Sequence, residues 1–490
     1  MSDHRDKVVE NFIWRFAERC GAQLVGFVVT IVIARMVSPE AFGTVALITV
    51  VTSVLQVFVD SGLGTSLIQR KDADNLDFSS VFYFNMGMCL LLYIVLYLLA
   101  PWIAVFYEQP QLTPMIRVLG ITIVVSGLKN VQQAYVARNM LFKRFFYATL
   151  TGTLISAVIG IGMAYLGYGV WALILQQLSN TLIDTIILWW IVKWRPVRHF
   201  SWKRLQTLLS YGWKLLASAL LDTVYNNTRQ LIIGKQYSSS DLAFYNKGEQ
   251  FPYFVVANIN TSFDSVLLPT MSRQQDSCEA VRNITRRVIK ISTYVMAPCM
   301  MGLAFMGDIL VPVLLTSKWS PCVFYLRIFC VTYMFYPIHT ANLNAIKAMG
   351  RSDIFLKLEL IKKSFALIVL CIAMRMGLHA LAYSALVVEI VAQLVNTYPN
   401  KKLLGYGYLE QIRDIVPSIL LAVGMGIIVY FIPVCGLPAG ITIGLQILCG
   451  MCVYIAASFL LKLEAFSYLL QLLRHLRDRL QDQKKGDRIQ

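Results

Sequence analysis

Apolar runs of about twenty residues, long enough to cross ~30 Å of hydrocarbon, follow one another along almost the whole chain. This repetition constrains the fold more than any other feature. Inside a bilayer each backbone N–H and C=O must be satisfied by the protein itself, so such runs form helices. Helices are expected over 12–36, 41–62, 80–107, 115–136, 147–166 and 169–192. A second set is expected over 210–234, 243–268, 289–315, 321–346, 354–375 and 378–398, followed by 412–432 and 438–461. The expected fold class is an all-α polytopic membrane protein with fourteen transmembrane helices. Composition agrees, since 14% of residues are charged against about a quarter in soluble domains.

The basic residues set an orientation. They cluster after even-numbered helices, as Arg70 and Lys71, Arg138, Lys143 and Arg144, then Lys193, Arg195, Arg198, Lys203 and Arg204. The pattern continues with Arg273, Arg282, Arg286 and Arg287, then Lys347 and Arg351, then Lys401 and Lys402. Connections after odd-numbered helices are short and nearly free of Lys and Arg, with Lys235, Lys318 and Arg375 as isolated exceptions. The positive-inside rule then places both termini in the cytoplasm. It also accounts for most of the net charge of +17, which in a soluble chain would point to nucleic acid; no RNA-binding or zinc-finger pattern is present. The ten cysteines fall mostly within apolar runs and read as small helix filler. The first apolar run is too long and too charged for a cleavable signal, so it is expected to remain.

Two polar rows interrupt this apolar pattern. Arg15, Arg19, Gln23, Gly26 and Thr30 recur at three- and four-residue steps and share one face of the first helix. A similar row on the seventh helix comprises Lys214, Ser218, Asp222, Tyr225 or Asn226, and Arg229. Lipid does not solvate such faces, so they are expected to line a cationic cavity or to pack on protein. Lys247 and Gln250 on the eighth helix extend the theme.

A weak repeat accompanies the rows. Trp14-Arg15 opens the first helix and Trp213-Lys214 the seventh, each ahead of its polar row. Six crossings separate them, so both start on one side and would be related by a pseudo-two-fold along the membrane normal. The expected organisation is an N-terminal lobe over 1–200, a C-terminal lobe over 201–402, two further helices over 403–462, and a cytoplasmic amphipathic tail over 463–490.

The chain also resembles a known family. Ile33-Ala34-Arg35 leading to Ser38-Pro39-Glu40-Ala41-Phe42-Gly43 is similar to the opening of polysaccharide exporters of the multidrug/oligosaccharidyl-lipid/polysaccharide (MOP) superfamily. Asp60-Ser61-Gly62-Leu63-Gly64, Ala243-Phe244-Tyr245-Asn246 and Lys318-Trp319 resemble later motifs of its Wzx-type branch, nearest the colanic-acid and teichuronic-acid exporters. Phe244 departs from the small residue usual at that turn. The resemblance implies a flippase in the bacterial inner membrane that carries an undecaprenyl-pyrophosphate-linked oligosaccharide to the periplasmic leaflet by alternating access. It serves lipopolysaccharide or exopolysaccharide synthesis, beside the polymerase machinery.

On that implication Arg15 and Arg19 become phosphate ligands, Arg offering paired donors to phosphate oxygens. For Arg15 the alternative is snorkelling to headgroups. Gln23, Lys214, Asp222, Asn226, Arg229, Lys247 and Gln250 would complete the substrate site, or else form polar helix contacts. Arg35, Asp60, Lys129, Asp264 and His339 are candidates for the entrance or for coupling. No cofactor or metal is expected; the coupling ion, sodium or proton, stays open. The rivals are a drug exporter of the same superfamily, which would favour an acidic cavity, and a polytopic polymerase or ligase, which would need a long external loop.

Overall fold

The computed structural model describes Trp14, residues 21–60, 62–70 and 72–471, and among these the chain is helical with no strand. The first unit begins with α1 (Gly21–Met36), α2 (Pro39–Asp60) and the short α3 (Leu63–Gln69). It continues through α4 (Asn75–Phe106), α5 (Leu112–Arg138), α6 (Phe142–Tyr165), α7 (Val170–Ile191) and α8 (Trp202–Gln236). After α9 (Ser239–Ser272) come α10 (Cys278–Leu315), α11 (Cys322–Met334) and α12 (Tyr336–Ala348). The last helices are α13 (Ser352–Ala373), α14 (Leu378–Leu404), α15 (Tyr408–Phe431) and α16 (Ala439–Leu460). The chain forms two compact units, Met1–Ala243 and Phe244–Gln490, so α9 starts in the first and runs into the second.

Ten helical stretches among the described residues are long and apolar enough to cross a membrane. They include α2 with α3 as one stretch and α11 with α12 as another. The outer surface fits lipid: Leu98, Trp102, Val105, Val158, Trp190, Leu420 and Phe459 are all exposed. On a water-soluble protein so much exposed apolar surface would drive association. The protein is therefore an all-helical, multi-pass membrane protein.

The helices outrun their apolar windows. α10 starts at Cys278, where Ser277 caps it by accepting from the Ala280 N–H, although the sequence pattern marks only 289–315. Its added turns carry Arg282, Arg286 and Arg287, charges that hydropathy excludes but an aqueous end accepts. The expected helix over 321–346 is broken at Phe335 into α11 and α12, with a proline in the first turn of α12. Proline lacks the N–H that would continue the ladder.

In the first unit, Asp74 caps α4 by accepting from the Leu76 and Asp77 N–H groups. Arg204 donates to Asp74 at 2.5 Å, and this bond holds the Asp74 carboxyl below its ordinary range. The buried Asp77 side chain faces Arg70 at 3.3 Å and Arg204 at 3.6 Å. Ser79 and Ser80 accept from the backbone of Val197 and Ser201, pinning the α7–α8 connection under Phe78, Phe82 and Trp194. Gly62 (φ +65°) separates α2 from α3; a Cβ there would lie 2.7 Å from the Gly212 carbonyl of α8. Only glycine meets both demands. Lys235, one of the exceptions to the charge pattern, pairs with Glu108 at 2.8 Å.

The second unit is closed at one end by charge. Asp414 accepts from Arg286, from Lys290 and from the Tyr406 hydroxyl. Lys290 also reaches Glu464 at 2.5 Å, at the start of a helix over 464–471. The remainder of the expected amphipathic tail lies outside the described residues. Phe244, in place of a small residue, meets Trp319 edge-on at 6.0 Å.

Candidate functional site

Arg15 and Arg19, the first two members of the first row, lie outside the described residues. The rest of that row is on α1: Gln23, Gly26 and Thr30 are half-buried, between exposed Leu24 and Val28 and buried Val29, Ile33 and Ala34. The Thr30 hydroxyl donates to the Gly26 carbonyl at 2.8 Å, so its polarity is partly spent within the helix. Arg35 is exposed at the end of α1.

The second row lies on α8, whose ends are anchored by buried Leu205, Leu208 and Ile233. Between them Lys214, Ser218, Asp222 and Asn226 are exposed and Arg229 is half-buried. The row is therefore a continuous polar stripe open to its surroundings, not a set of residues sealed in a dry core. Lys247 differs: it is buried, donates to Gln250 at 2.9 Å and sits 5.9 Å from the Trp319 ring. These two predicted residues are brought together. The Asp264 side chain lies outside the described part.

The first unit contains a cavity of about 280 Å³ lined by Asp60, Thr65 and Ile68 from α2 and α3, Asn130 and Gln133 from α5, and Phe145 from α6. Asn130 donates to the Asp60 carboxylate at 3.1 Å. Adjacent in sequence to Asn130, Lys129 turns instead to Asp184 of α7, with 2.9 Å between Nζ and Oδ2. Gln132, on a third face, is buried and donates to the Trp194 carbonyl. Lys129, Asn130 and Gln132 of α5 thus serve three different partners, and Gln133 lines the cavity. The cavity can hydrogen-bond a polar group through an acid and two amides, and one cation stands close behind it.

Polar residues of the second unit join α12, α14 and α15. His339 Nε2 lies 2.7 Å from Glu389 Oε1, and Asn396 Nδ2 lies 2.8 Å from His339 Nδ1. Further along, Asn342 and Gln411 exchange two hydrogen bonds of 2.9 Å, and Asn400 donates to Asn342 Oδ1 at 2.7 Å. Of these residues the sequence singled out His339. Asp184, Glu389, Asn396 and Gln411 were missed. The signal available for two of them was a lone carboxylate within an otherwise apolar run, which is rarely tolerated without a partner. Among the described residues no group of His, Cys, Asp and Glu has the arrangement of a metal site.

Comparison with known proteins gives a consistent picture. The profile of a family described as "Polysaccharide biosynthesis protein" matches residues 32–324. The lipopolysaccharide biosynthesis protein WzxC of Escherichia coli K12 is 21% identical over 435 residues, covering 86% of this chain and 88% of its own. The teichuronic acid biosynthesis protein TuaB of Bacillus subtilis 168 is 26% identical over 61% of this chain and 62% of its own. Among solved structures, the lipid II flippase MurJ in an inward closed conformation superposes with a TM-score of 0.74 at 16% identity, covering 92% of this chain and 99% of its own.

Proposed function

Because the chain belongs to the polysaccharide biosynthesis protein family, we propose that it flips an undecaprenyl-pyrophosphate-linked oligosaccharide from the cytoplasmic to the periplasmic leaflet. The observation that carries this reading is the alignment with WzxC along most of both chains. The likeness to MurJ contributes the fold alone.

In this reading the fourteen expected crossings form two six-helix lobes, 1–200 and 201–402, with the helices of 403–462 appended and both termini in the cytoplasm. The lobes rock about a shared cationic site in the bacterial inner membrane. A diphosphate in hydrocarbon loses its hydration, a penalty of many kcal/mol unless other donors replace water. Arg15 and Arg19 supply such donors from the first helix, and Lys214 and Arg229 from α8. The open stripe on α8 supports this role, because a ligand can reach its side chains. Gln23, Asn226 and Gln250 suit sugar hydroxyls, while the polyprenyl tail stays in lipid. The product leaves for a polymerase on the far side. No cofactor takes part.

The test begins with deletion of the protein in its native host, where the lipid-linked repeat unit should accumulate and surface polymer should vanish. Arg19→Glu and Arg229→Glu should each abolish export at near-normal abundance in the membrane. Normal polymer in both variants would remove the phosphate-ligand role.

A further inference from the structure

One cluster of the second unit has a chemistry that substrate binding leaves unused. His339 is 8% exposed on α12, between Glu389 and Asn396 of α14. Glu389, Gln393, Asn396 and Asn400 follow one another at four-, three- and four-residue steps, so they form one polar file along α14. The lower amides of the file bind Asn342 and, through it, Gln411. The upper part is less complete. Neither His339 Nε2 nor Glu389 Oε1 makes an aligned hydrogen bond despite their 2.7 Å separation, and Asn396 Oδ1 and Gln393 Nε2 are buried without a partner.

The proton positions follow from donor chemistry. An amide nitrogen only donates, so the ring nitrogen facing Asn396 Nδ2 carries a lone pair, and the ring hydrogen sits on Nε2 beside Glu389. With the carboxylate ionised, this arrangement leaves one net negative charge at membrane depth, where a lone charge is costly. One more proton, taken from water, forms an N–H bond at Nδ1 and cancels that charge as an imidazolium–carboxylate pair. Turning over the Asn396 amide then offers its oxygen, now without a partner, to the new N–H.

We propose that His339, Glu389 and Asn396 form a proton-binding site, and that the proton held there is the ion coupled to transport. The second clause rests on the flippase reading above. The helices packed against α12 and α14 carry titratable groups that have partners of their own. The Tyr333 hydroxyl of α11 donates to Glu249 of α9 at 2.5 Å, and the Tyr336 ring lies 6.5 Å from that of His339. Lys247 of α9 is bonded to Gln250. On α13, Lys362 pairs with Glu359; Lys290 of α10 pairs with Asp414 of α15. His379, at the start of α14, meets the Phe324 ring at 4.5 Å.

The test labels histidine with nitrogen-15 in the full chain in detergent micelles, H339Q identifying its resonance among the five histidines. His339 should be hydrogen-bearing at Nε2 alone at high pH and gain a second proton as pH falls, and E389Q should alter that gain. A ring that keeps one protonation state from about pH 5 to pH 9 overturns the proposal in the wild-type protein alone, whatever the variants do. In cells, H339Q and E389Q should remove the response of export to external pH while abundance holds. An unchanged response, in a host whose deletion strain accumulates lipid-linked repeat units, overturns the coupling and leaves the flippase reading standing. Absence of that accumulation sinks the flippase reading instead, and the nitrogen-15 titration still decides the proton site.

Discussion

The contact between Lys129 and Asp184 offers a quantitative test of how the first unit tolerates charge. Nζ and Oδ2 are 2.9 Å apart, and the side chains are 19% and 7% exposed. At an effective dielectric of about 20 the gross attraction at this distance is about 6 kcal/mol, most of it offset by lost hydration. Removing one partner forfeits the attraction and leaves the other charge buried, so Lys129→Met or Asp184→Asn alone should cost about 3–5 kcal/mol. The double variant leaves no charge and should recover to within about 1 kcal/mol of the wild type, because replacing both members of a buried pair is often near neutral. Asn is the appropriate substitute at 184. Asp184 backs onto Gly152, whose added Cβ would lie 3.1 Å from the Asp184 Cβ, so the two helices leave no room for a bulkier side chain. The assay is reversible unfolding in mixed micelles, titrated with denaturing detergent and read by tryptophan fluorescence. Additive losses in the double variant, or a single variant as stable as the wild type, would refute the pairing argument.

Two further outcomes follow from the same structure. A Cβ at Gly43 would lie 1.6 Å from the Ser239 carbonyl oxygen, so Gly43→Ala should cost about 1–3 kcal/mol by overpacking; Gly162→Ala, where no atom lies within 4 Å, should leave stability unchanged in the same unfolding assay. Asp74, held low by Arg204, contributes stability that is full above the unfolded carboxyl value of about 4 and is lost as pH falls through the lower folded value. Hydrogen exchange over 193–203 should therefore quicken below about pH 4 in the wild type, and Asp74→Asn should abolish that dependence.

Much of the fold was legible because hydropathy is a local property. Each apolar run marks a helix without reference to any other, and ten of the helical stretches described are apolar and long enough to cross a membrane. Helix ends were less legible, since α10 continues through Arg286 and Arg287 into water, where being apolar no longer marks a helix. The candidate site was legible only as rows. Periodicity placed Lys214, Asp222 and Arg229 on one side of α8, and says nothing of what faces them.

By itself the sequence determined the membrane class, the helical character of the chain and the family. The tertiary structure alone decided which polar side chains answer one another. Lys129 finds its carboxylate on α7, His339 finds Glu389 and Asn396 on α14, and the anomalous Lys235 finds Glu108. A lone charge in an apolar run reads the same whether it faces water, a ligand or an opposite charge. Only the packing of helices distant in sequence fixes its partner, because that packing sets the distance over which charge and hydrogen bonding act.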